Sequence, residues 1–185
     1  MTLLYFQYLL KIVSETNKSF QEIKDEFIAQ WGALGTSWGI NRTMAQIHAL
    51  LMVTPEVMST DEIMEDLSIS RGNAHTNLKE LVGWGLIRIV VKKGERKEFF
   101  EAEKDVWKMF TIIMSERRRR EVDPMVNLLN TYVDNTNNAK GIEVEAFNHQ
   151  LKELEKFVSF ASNMSEKIAK LSYGPAMNLA AKVLK

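Results

Sequence analysis

The sequence predicts a mainly α-helical protein with one small β-hairpin, an α+β fold. Apolar residues recur at three- and four-residue spacing over most of the 185 residues, as amphipathic helices require. Two short segments, "LIRIVV" and "KEFFEA", are instead rich in β-branched and aromatic residues, and a loop containing Gly94 joins them. The segments just before this hairpin read as two short helices separated by a tight turn.

Capping residues and apolar spacing place three helices before residue 70. Ser19 and Glu22 form a capping-box pattern at the start of the first helix, which we expect the glycines of "GALGTSWGIN" to interrupt. The second helix carries "MAQIHALL" and ends before the next proline. Ser59 or Thr60 caps the third helix, "DEIMEDL", and "SIS" makes the turn that follows.

A fourth helix is expected at residues 70–82, with Ser70 as its N-cap. Its apolar residues Ala74, Leu78, Leu81 and Val82 fall at i, i+4, i+7 and i+8 and form one buried stripe. Helix, tight turn, helix and hairpin together form a winged helix-turn-helix, in which the second helix enters the DNA major groove. On this helix the groove-facing residues would be Arg71, Gly72, Asn73, Thr76, Asn77 and Lys79, with Ser70 at its start.

These residue types suit the reading of base pairs. Asparagine can form two hydrogen bonds with adenine and arginine two with guanine, and Gly72 would let the backbone approach DNA closely. The hairpin tip, the wing, would neutralise phosphates, which gives affinity without sequence information. Its basic residues are Lys92, Lys93, Arg96 and Lys97.

The positive charge of the chain is local. There are 24 basic and 24 acidic residues in total, but residues 68–97 contain seven basic residues against two acidic ones, a net charge of +5. A basic hairpin tip can also be only a solvated turn, and winged helices also serve as protein-interaction modules. The alternative to a regulator that binds specific DNA sequences is therefore an assembly adaptor that does not.

The segment "LSISRGNAHTNLKELVGWGLI", the basic wing and "EAEKDVWKMF" resemble the GbsR-type branch of the MarR superfamily of transcriptional regulators. The resemblance begins near "FIAQWGALGTSWGINRTMAQIHALL" and includes "RRRREVDP" after the wing. It implies a homodimer that binds operator DNA, a recognition helix at residues 70–82, a wing at residues 88–101, and repression. It assigns no effector, although some members respond to choline or related osmolytes.

We expect a winged helix-turn-helix domain at residues 19–103, flanked by two helical extensions. The extensions are an N-terminal helix at residues 1–18, which could join a dimer interface, and a helical dimerisation region at residues 104–185. One long helix of this region is expected to run through "ERRRREVDP". A second helix carries a narrow apolar seam that predicts a dimer contact, although the seam could also pack inside its own subunit. The seam consists of Val144, Phe147, Leu151, Leu154, Val158 and Ala161.

Two further features have a structural and a functional interpretation. Arg117 to Arg120 point in four directions on a helix, so salt bridges with nearby acids are preferred to a single phosphate-binding patch. Trp31 and Trp38 could form an aromatic cage for a quaternary ammonium effector, because the glycines around them would leave an open segment. Packing in the core is the competing interpretation.

Several classes of function are disfavoured. The chain has no cysteine, and its three histidines lack the spacing of metal ligands, so we expect no metal site and no cofactor. We find no nucleophile paired with a base and no phosphate-binding glycine loop, so an enzyme is not expected. No segment approaches the roughly 20 apolar residues of a membrane span. We expect a cytoplasmic protein.

Overall fold

The computed structural model describes residues 18–136 and 138–171, which contain helices and one three-stranded antiparallel sheet. The predicted fold class, mainly α with a small β-hairpin, is confirmed. The chain divides into two compact units. Within the described residues, the first comprises residues 18–83 and 87–102 and the second comprises 84–86 and 103–171. Apart from Lys18, the N-terminal segment at residues 1–18 lies outside the described part of the chain.

The first unit contains helices α1, α2, α3 and α4, each with its N-terminus capped by a side chain. Backbone N–H groups of the first turn donate to Ser19 in α1, to Asn41 in α2 and to Ser59 in α3. Of the two predicted caps for α3, Ser59 is therefore the correct one. The helices span Phe20–Ser37 (α1), Arg42–Val53 (α2), Thr60–Leu67 (α3) and Arg71–Trp84 (α4).

The interruption of the first helix comes later than expected, because α1 continues through Gly32 and Gly35 to Ser37, and of the three glycines only Gly39, with φ +75°, lies between α1 and α2. A Cβ atom on Gly32 would lie 2.5 Å from Cγ of Gln46, and one on Gly35 would lie 2.5 Å from Cβ of Ala45. Both neighbours belong to α2. The two glycines therefore allow α1 and α2 to pack closely, a tertiary requirement that outweighs their low helix propensity.

The sheet consists of strands β1, β2 and β3 in the order β1-β3-β2. The predicted hairpin is confirmed as β2 (Ile87–Val90) paired with β3 (Phe99–Ala102). Strand β1 (Met58–Ser59) pairs antiparallel with β3. It was not predicted, because two residues are too few to show the alternation of apolar and polar residues that indicates a strand. Through β1 the wing is hydrogen-bonded to the residue that caps α3.

The core of the first unit fixes the position of α4. Ile47, Leu50 and Leu51 of α2 and Ile63 of α3 are at most 1% exposed, and Leu81 of α4 is equally buried. Burying side chains of this size contributes roughly 1.5–3 kcal/mol each relative to exposure. Helix α4 is therefore anchored along one stripe, which leaves its other face to solvent.

The second unit contains α5 (Val106–Arg117), α6 (Asp123–Thr136) and α7 (Ile142–Leu171), and α7 packs against the other two. The predicted long helix through "ERRRREVDP" is not regular, because a π-helical segment (Arg118–Val122) joins α5 to α6. Pro124 follows that segment. Since proline lacks an N–H and its ring crowds the carbonyl four residues earlier, it accounts for the local change in winding.

Within the described ranges, no helix is both long enough and apolar enough to span a membrane.

Candidate nucleic-acid interface

The turn between α3 and α4 orients the proposed recognition helix. Ser68 ends α3 in the left-handed conformation, with φ 51°, and its N–H donates to the carbonyls of Met64 and Glu65. Ser70 then precedes α4, and the N–H of Asn73 donates to Ser70 Oγ at 3.4 Å. This capping bond fixes the start of α4 at Arg71, one residue after the predicted cap.

Most of the predicted reading face of α4 is exposed, while Ala74, Leu78 and Leu81 are buried as expected. The placement of Asn77 on the outer face is wrong, because Asn77 is only 5% exposed. It lies three residues after Ala74 and four before Leu81, on the margin of the buried stripe. The exposed residues of the predicted reading face are Arg71, Gly72, Asn73, Thr76 and Lys79.

Asn77 orients the side chain of Asn73. Nδ2 of Asn77 donates to the carbonyl oxygen of Asn73 at 2.8 Å and to its Oδ1 at 2.7 Å. Nδ2 of Asn73 in turn donates to Oγ1 of Thr43 in α2 at 3.3 Å. A primary amide has two N–H donors and two acceptor lone pairs, so Asn73 retains one of each for a base edge.

Asp61, in the first turn of α3, contacts both parts of the proposed interface. Its Oδ1 accepts a hydrogen bond from Nη2 of Arg71, and its Oδ2 lies 3.6 Å from Nζ of Lys97 in the wing. Sequence reasoning missed Asp61, which is separated from these partners by 10 and 36 residues. The sequence shows only that Asp61 lies at the start of the helix before the turn, and this does not indicate which residues it contacts.

The wing is a basic loop around a tight turn. Gly94 has φ +88°, and the N–H of Glu95 donates to the carbonyl of Lys92 at 3.1 Å. Nζ of Lys92 lies 4.1 Å from the ring centroid of Phe99, a cation–π contact that holds the start of the loop. The predicted phosphate-binding residues Lys92, Lys93, Arg96 and Lys97 are all exposed.

Other acids compensate part of the local positive charge. Arg88 on β2 pairs with Glu101 on β3, with N–O distances of 3.0 and 2.6 Å. Hydrogen bonds from the backbone and side chain of Ser59 lower the pKa of Glu62, and the charges of Lys92 and Lys97 lower it further. Glu62 is therefore a carboxylate whose negative charge interacts with Lys92 and Lys97. The net charge of +5 for residues 68–97 omits Glu62 and so overstates the positive potential at the interface.

The two tryptophans proposed for a cage lie on α1 and at its end. Trp31 is half-buried, and its ring centroid is 5.7 Å from that of Phe27. Trp38 caps the C-terminus of α1 and is 67% exposed. The segment around Trp31 is helical and not open, so that premise is corrected there, whereas Trp38 and Gly39 form a turn after α1. The ligand site itself stays a prediction.

A cavity of about 620 Å³ lies elsewhere, within the second unit. It is lined by the π-helical segment together with residues of α5, α6 and α7, among them Met114, Phe157 and Ser162. Neither Trp31 nor Trp38 contributes to it. Sequence periodicity could not indicate this cavity, because it depends on the irregular winding after Arg117.

The four consecutive arginines, Arg117 to Arg120, form salt bridges with nearby acidic residues, as the sequence interpretation preferred. Arg119 and Arg120 both contact Glu116, and Arg120 also lies 4.9 Å from the ring centroid of Trp84. Arg117 pairs with Glu121 at 3.3 Å, and Nε of Arg118 lies 3.6 Å from Asp123. These contacts are all made within the second unit.

The predicted dimer seam on α7 is divided between two environments. Val144, Leu151 and Val158 are half-buried, whereas Phe147 and Leu154 are 45% and 42% exposed and Ala161 is also exposed. Of these three, Val158 lines the cavity formed with α5, the π-helical segment and α6. Helix α7 also carries exposed Phe157, Phe160 and Met164. Of the exposed apolar residues, Phe157 and Ala161 also line the cavity of the second unit.

Histidine, aspartate and glutamate residues of the described ranges form no group of three that could hold a metal ion.

Comparison with known proteins is consistent with this geometry. No family model matches the chain. The HTH-type transcriptional repressor GbsR of Bacillus subtilis (strain 168) is 30% identical over 92 residues, which are 50% of this chain and 51% of that protein. The chain thus spans about half the length of the curated relative it matches.

A solved structure described as the crystal structure of a transcriptional regulator has the same fold. It matches with a TM-score of 0.63 and 22% sequence identity, over 78% of this chain and 94% of its own. The chain is therefore similar in sequence to a GbsR repressor and in fold to a transcriptional regulator, which confirms its predicted resemblance to GbsR-type regulators of the MarR superfamily.

Proposed function

We propose that this protein is a transcriptional regulator, a repressor, that binds specific double-stranded DNA sequences as a homodimer. Helix α4 enters the major groove, and the wing at residues 88–101 lies on the sugar-phosphate backbone. One observation carries the proposal: α4 is anchored by a buried stripe while Arg71, Asn73 and Thr76 are exposed beside a wing with four exposed cations. The name of the Bacillus relative supports repression.

Base readers and phosphate contacts have distinct roles in this proposal. Arg71 and Asn73 discriminate between base pairs, each good two-pronged contact being worth about 1–3 kcal/mol. Lys92 and Lys93 neutralise phosphates on any sequence and release counterions. Substitutions in the two groups should therefore have different signatures.

The experiment is a selection from a random duplex library, followed by anisotropy measurements at ~150 mM salt on the selected duplex and on a scrambled duplex of equal composition. We expect a preference of about 10³ or more. Arg71→Ala and Asn73→Ala should reduce that preference. His75→Ala is the matched control, because His75 is exposed on the same helix and is not assigned to base reading.

Charge substitutions in the wing provide the second arm. Lys92→Gln with Lys93→Gln should weaken binding to both duplexes alike and flatten the salt slope by about one to two units. If the wild-type protein selects no duplex, it is not a site-specific regulator, and the assembly adaptor becomes the better interpretation.

The homodimer is proposed to form through the exposed apolar face of α7. A helix-turn-helix reader gains from a partner, because two half-sites then contribute to one complex. Large exposed apolar patches on a protein commonly mark an interface. The surface on α7 comprises Phe147, Leu154, Phe157, Phe160, Ala161 and Met164.

Analytical ultracentrifugation tests the dimer. Phe147→Glu with Leu154→Glu should convert a dimer into a monomer, because each change would bury a charge without a partner at the interface, and neither residue lines the cavity of the second unit. Lys152→Gln, on the polar side of α7, is the control and should leave the dimer intact. A double variant that remains dimeric would show that the interface lies elsewhere.

A small-molecule effector, a quaternary ammonium osmolyte, is proposed to bind at Trp31 and Trp38. Trp31 lies on α1, and Trp38 is the C-terminal cap that follows its last residue, seven residues further along the chain. Cation–π attraction to such rings is the expected source of affinity. Choline should quench tryptophan fluorescence saturably, and Trp38→Ala should abolish that response; no saturable change in the wild-type protein would remove this part of the proposal.

A further inference from the structure

The Asp61 side chain links two elements that are separate in sequence. One of its oxygens accepts from Arg71 at the start of α4, and the other lies 3.6 Å from Nζ of Lys97 in the wing. These are the first base-reading candidate of the helix and the last cation of the loop.

The position of Asp61 is well fixed. Ser59, which caps α3, forms a reciprocal capping box with Glu62, and Ile63 is completely buried. Asp61 lies between these two anchors. Its carboxylate is therefore held beside Arg71 by the helix itself and not by the ion pair alone.

The charge of Asp61 opposes any phosphate that approaches Arg71 or Lys97. On a non-specific duplex, phosphates must compete with this carboxylate and overcome its repulsion. At a cognate site Arg71 has more to gain, because guanine offers two acceptors in a fixed geometry. The guanidinium has five N–H donors, so it can reach guanine while one N–H still donates to Asp61.

We propose that Asp61 is a specificity-determining residue that positions Arg71 for base reading and lowers affinity for non-cognate DNA. The proposal rests on the DNA-binding function proposed above. Asp61 does not itself contact a base. It acts through Arg71 and Lys97, and it lowers affinity for non-cognate DNA more than it raises affinity for the cognate site.

The test compares Asp61→Asn with Asp66→Asn. Both variants remove one negative charge from an exposed position of α3, but no hydrogen bond or ion pair found among the described residues joins Asp66 to the interface. Anisotropy is measured with a duplex selected by the wild-type protein and with its scrambled counterpart, over a range of salt concentrations. Thermal unfolding of each variant is measured alongside.

For Asp61→Asn we expect affinity for the scrambled duplex to rise about fivefold, with a salt slope steeper by about one unit, as one additional phosphate contact would give. Affinity for the selected duplex should change less than twofold, because the loss of Arg71 positioning and the removal of phosphate repulsion have opposite effects there. The preference therefore falls about fivefold. Asp66→Asn should leave the preference unchanged. Equal preferences in the two variants would overturn the inference.

An additional substitution of Arg71 separates positioning from a general charge effect. In a background carrying Arg71→Gln, Asp61→Asn should reduce the preference by clearly less than fivefold, because the positioned group is absent and only the contact with Lys97 remains. A reduction of the same size in both backgrounds would contradict the proposed route through Arg71. If the wild-type protein prefers no duplex, the proposed function fails. If the wild-type protein has the expected preference and Asp61→Asn has the same preference, only the role of Asp61 is refuted.

Discussion

The buried amide of Asn77 donates two hydrogen bonds to Asn73, one to the backbone carbonyl at 2.8 Å and one to the side-chain Oδ1 at 2.7 Å. The first residue is 5% exposed and the second is exposed on the proposed reading face. An interior side chain thereby determines which edge of a surface amide faces outward. Asn77 is a positioning residue for Asn73.

Asn77→Ala is expected to weaken binding to the selected duplex by roughly five- to twentyfold, within the range of one lost base contact. Binding to scrambled duplex should not change. Val82→Ala, in a half-buried position of the same helix, is the control for a small loss of packing. Equal effects of the two variants on DNA preference would assign Asn77 a purely structural role.

Gly72→Ala should separate folding from DNA binding. A Cβ atom at Gly72 meets nothing within 4 Å, and alanine favours a helix by about 1 kcal/mol over glycine. Thermal unfolding should therefore show equal or higher stability. Because the added methyl group would meet the DNA backbone or bases, affinity should fall for both duplexes. Unaltered affinity would mean that α4 does not approach DNA closely at this position.

Gly35→Ala should destabilise the protein by about 1–3 kcal/mol, in spite of the gain in helix propensity. The new Cβ would lie 2.5 Å from that of Ala45, and neither group can rotate away. Gly83→Ala is the matched helical control, since its Cβ would enter open space. The control should be neutral or up to about 1 kcal/mol more stable in urea unfolding. Similar stabilities would contradict close packing of α1 on α2.

His48 should make stability depend on pH. It is 5% exposed, its Nε2 is buried without a hydrogen-bond partner in the described structure, and burial lowers its pKa from 6.5 to about 4. The folded protein therefore holds His48 neutral, while the unfolded chain takes up a proton below about pH 6.5. Its contribution to stability is complete above that pH and is lost as the pH falls towards 4.

The expected loss is roughly 3 kcal/mol between pH 7.5 and 4, measured as the free energy of unfolding of the wild-type protein relative to His48→Leu. Comparison with the variant cancels the titration of carboxylates that both proteins share. Parallel pH profiles for the two proteins would show that His48 is not buried as a neutral group.

The sequence by itself determined the local elements of this protein. Capping residues and apolar spacing located the starts of α1, α3 and α4, and β-branched residues around Gly94 located the hairpin, because these signals act between residues close along the chain. The exposed positions of Arg71 and Thr76 followed from the same periodicity.

Only the tertiary structure decided which side chains meet. Asn77 lies on the margin of a helix face, where its burial depends on the elements packed against α4. From the sequence, Gly32 and Gly35 predict an interruption of the helix, whereas in the structure they make room for α2. Strand β1 forms by pairing with β3, which is distant in sequence. Asp61 reaches Arg71 and Lys97 because folding brings the start of α3, the start of α4 and the wing together. Contacts across such separations leave no periodic trace in the sequence, since each depends on the positions of at least two elements.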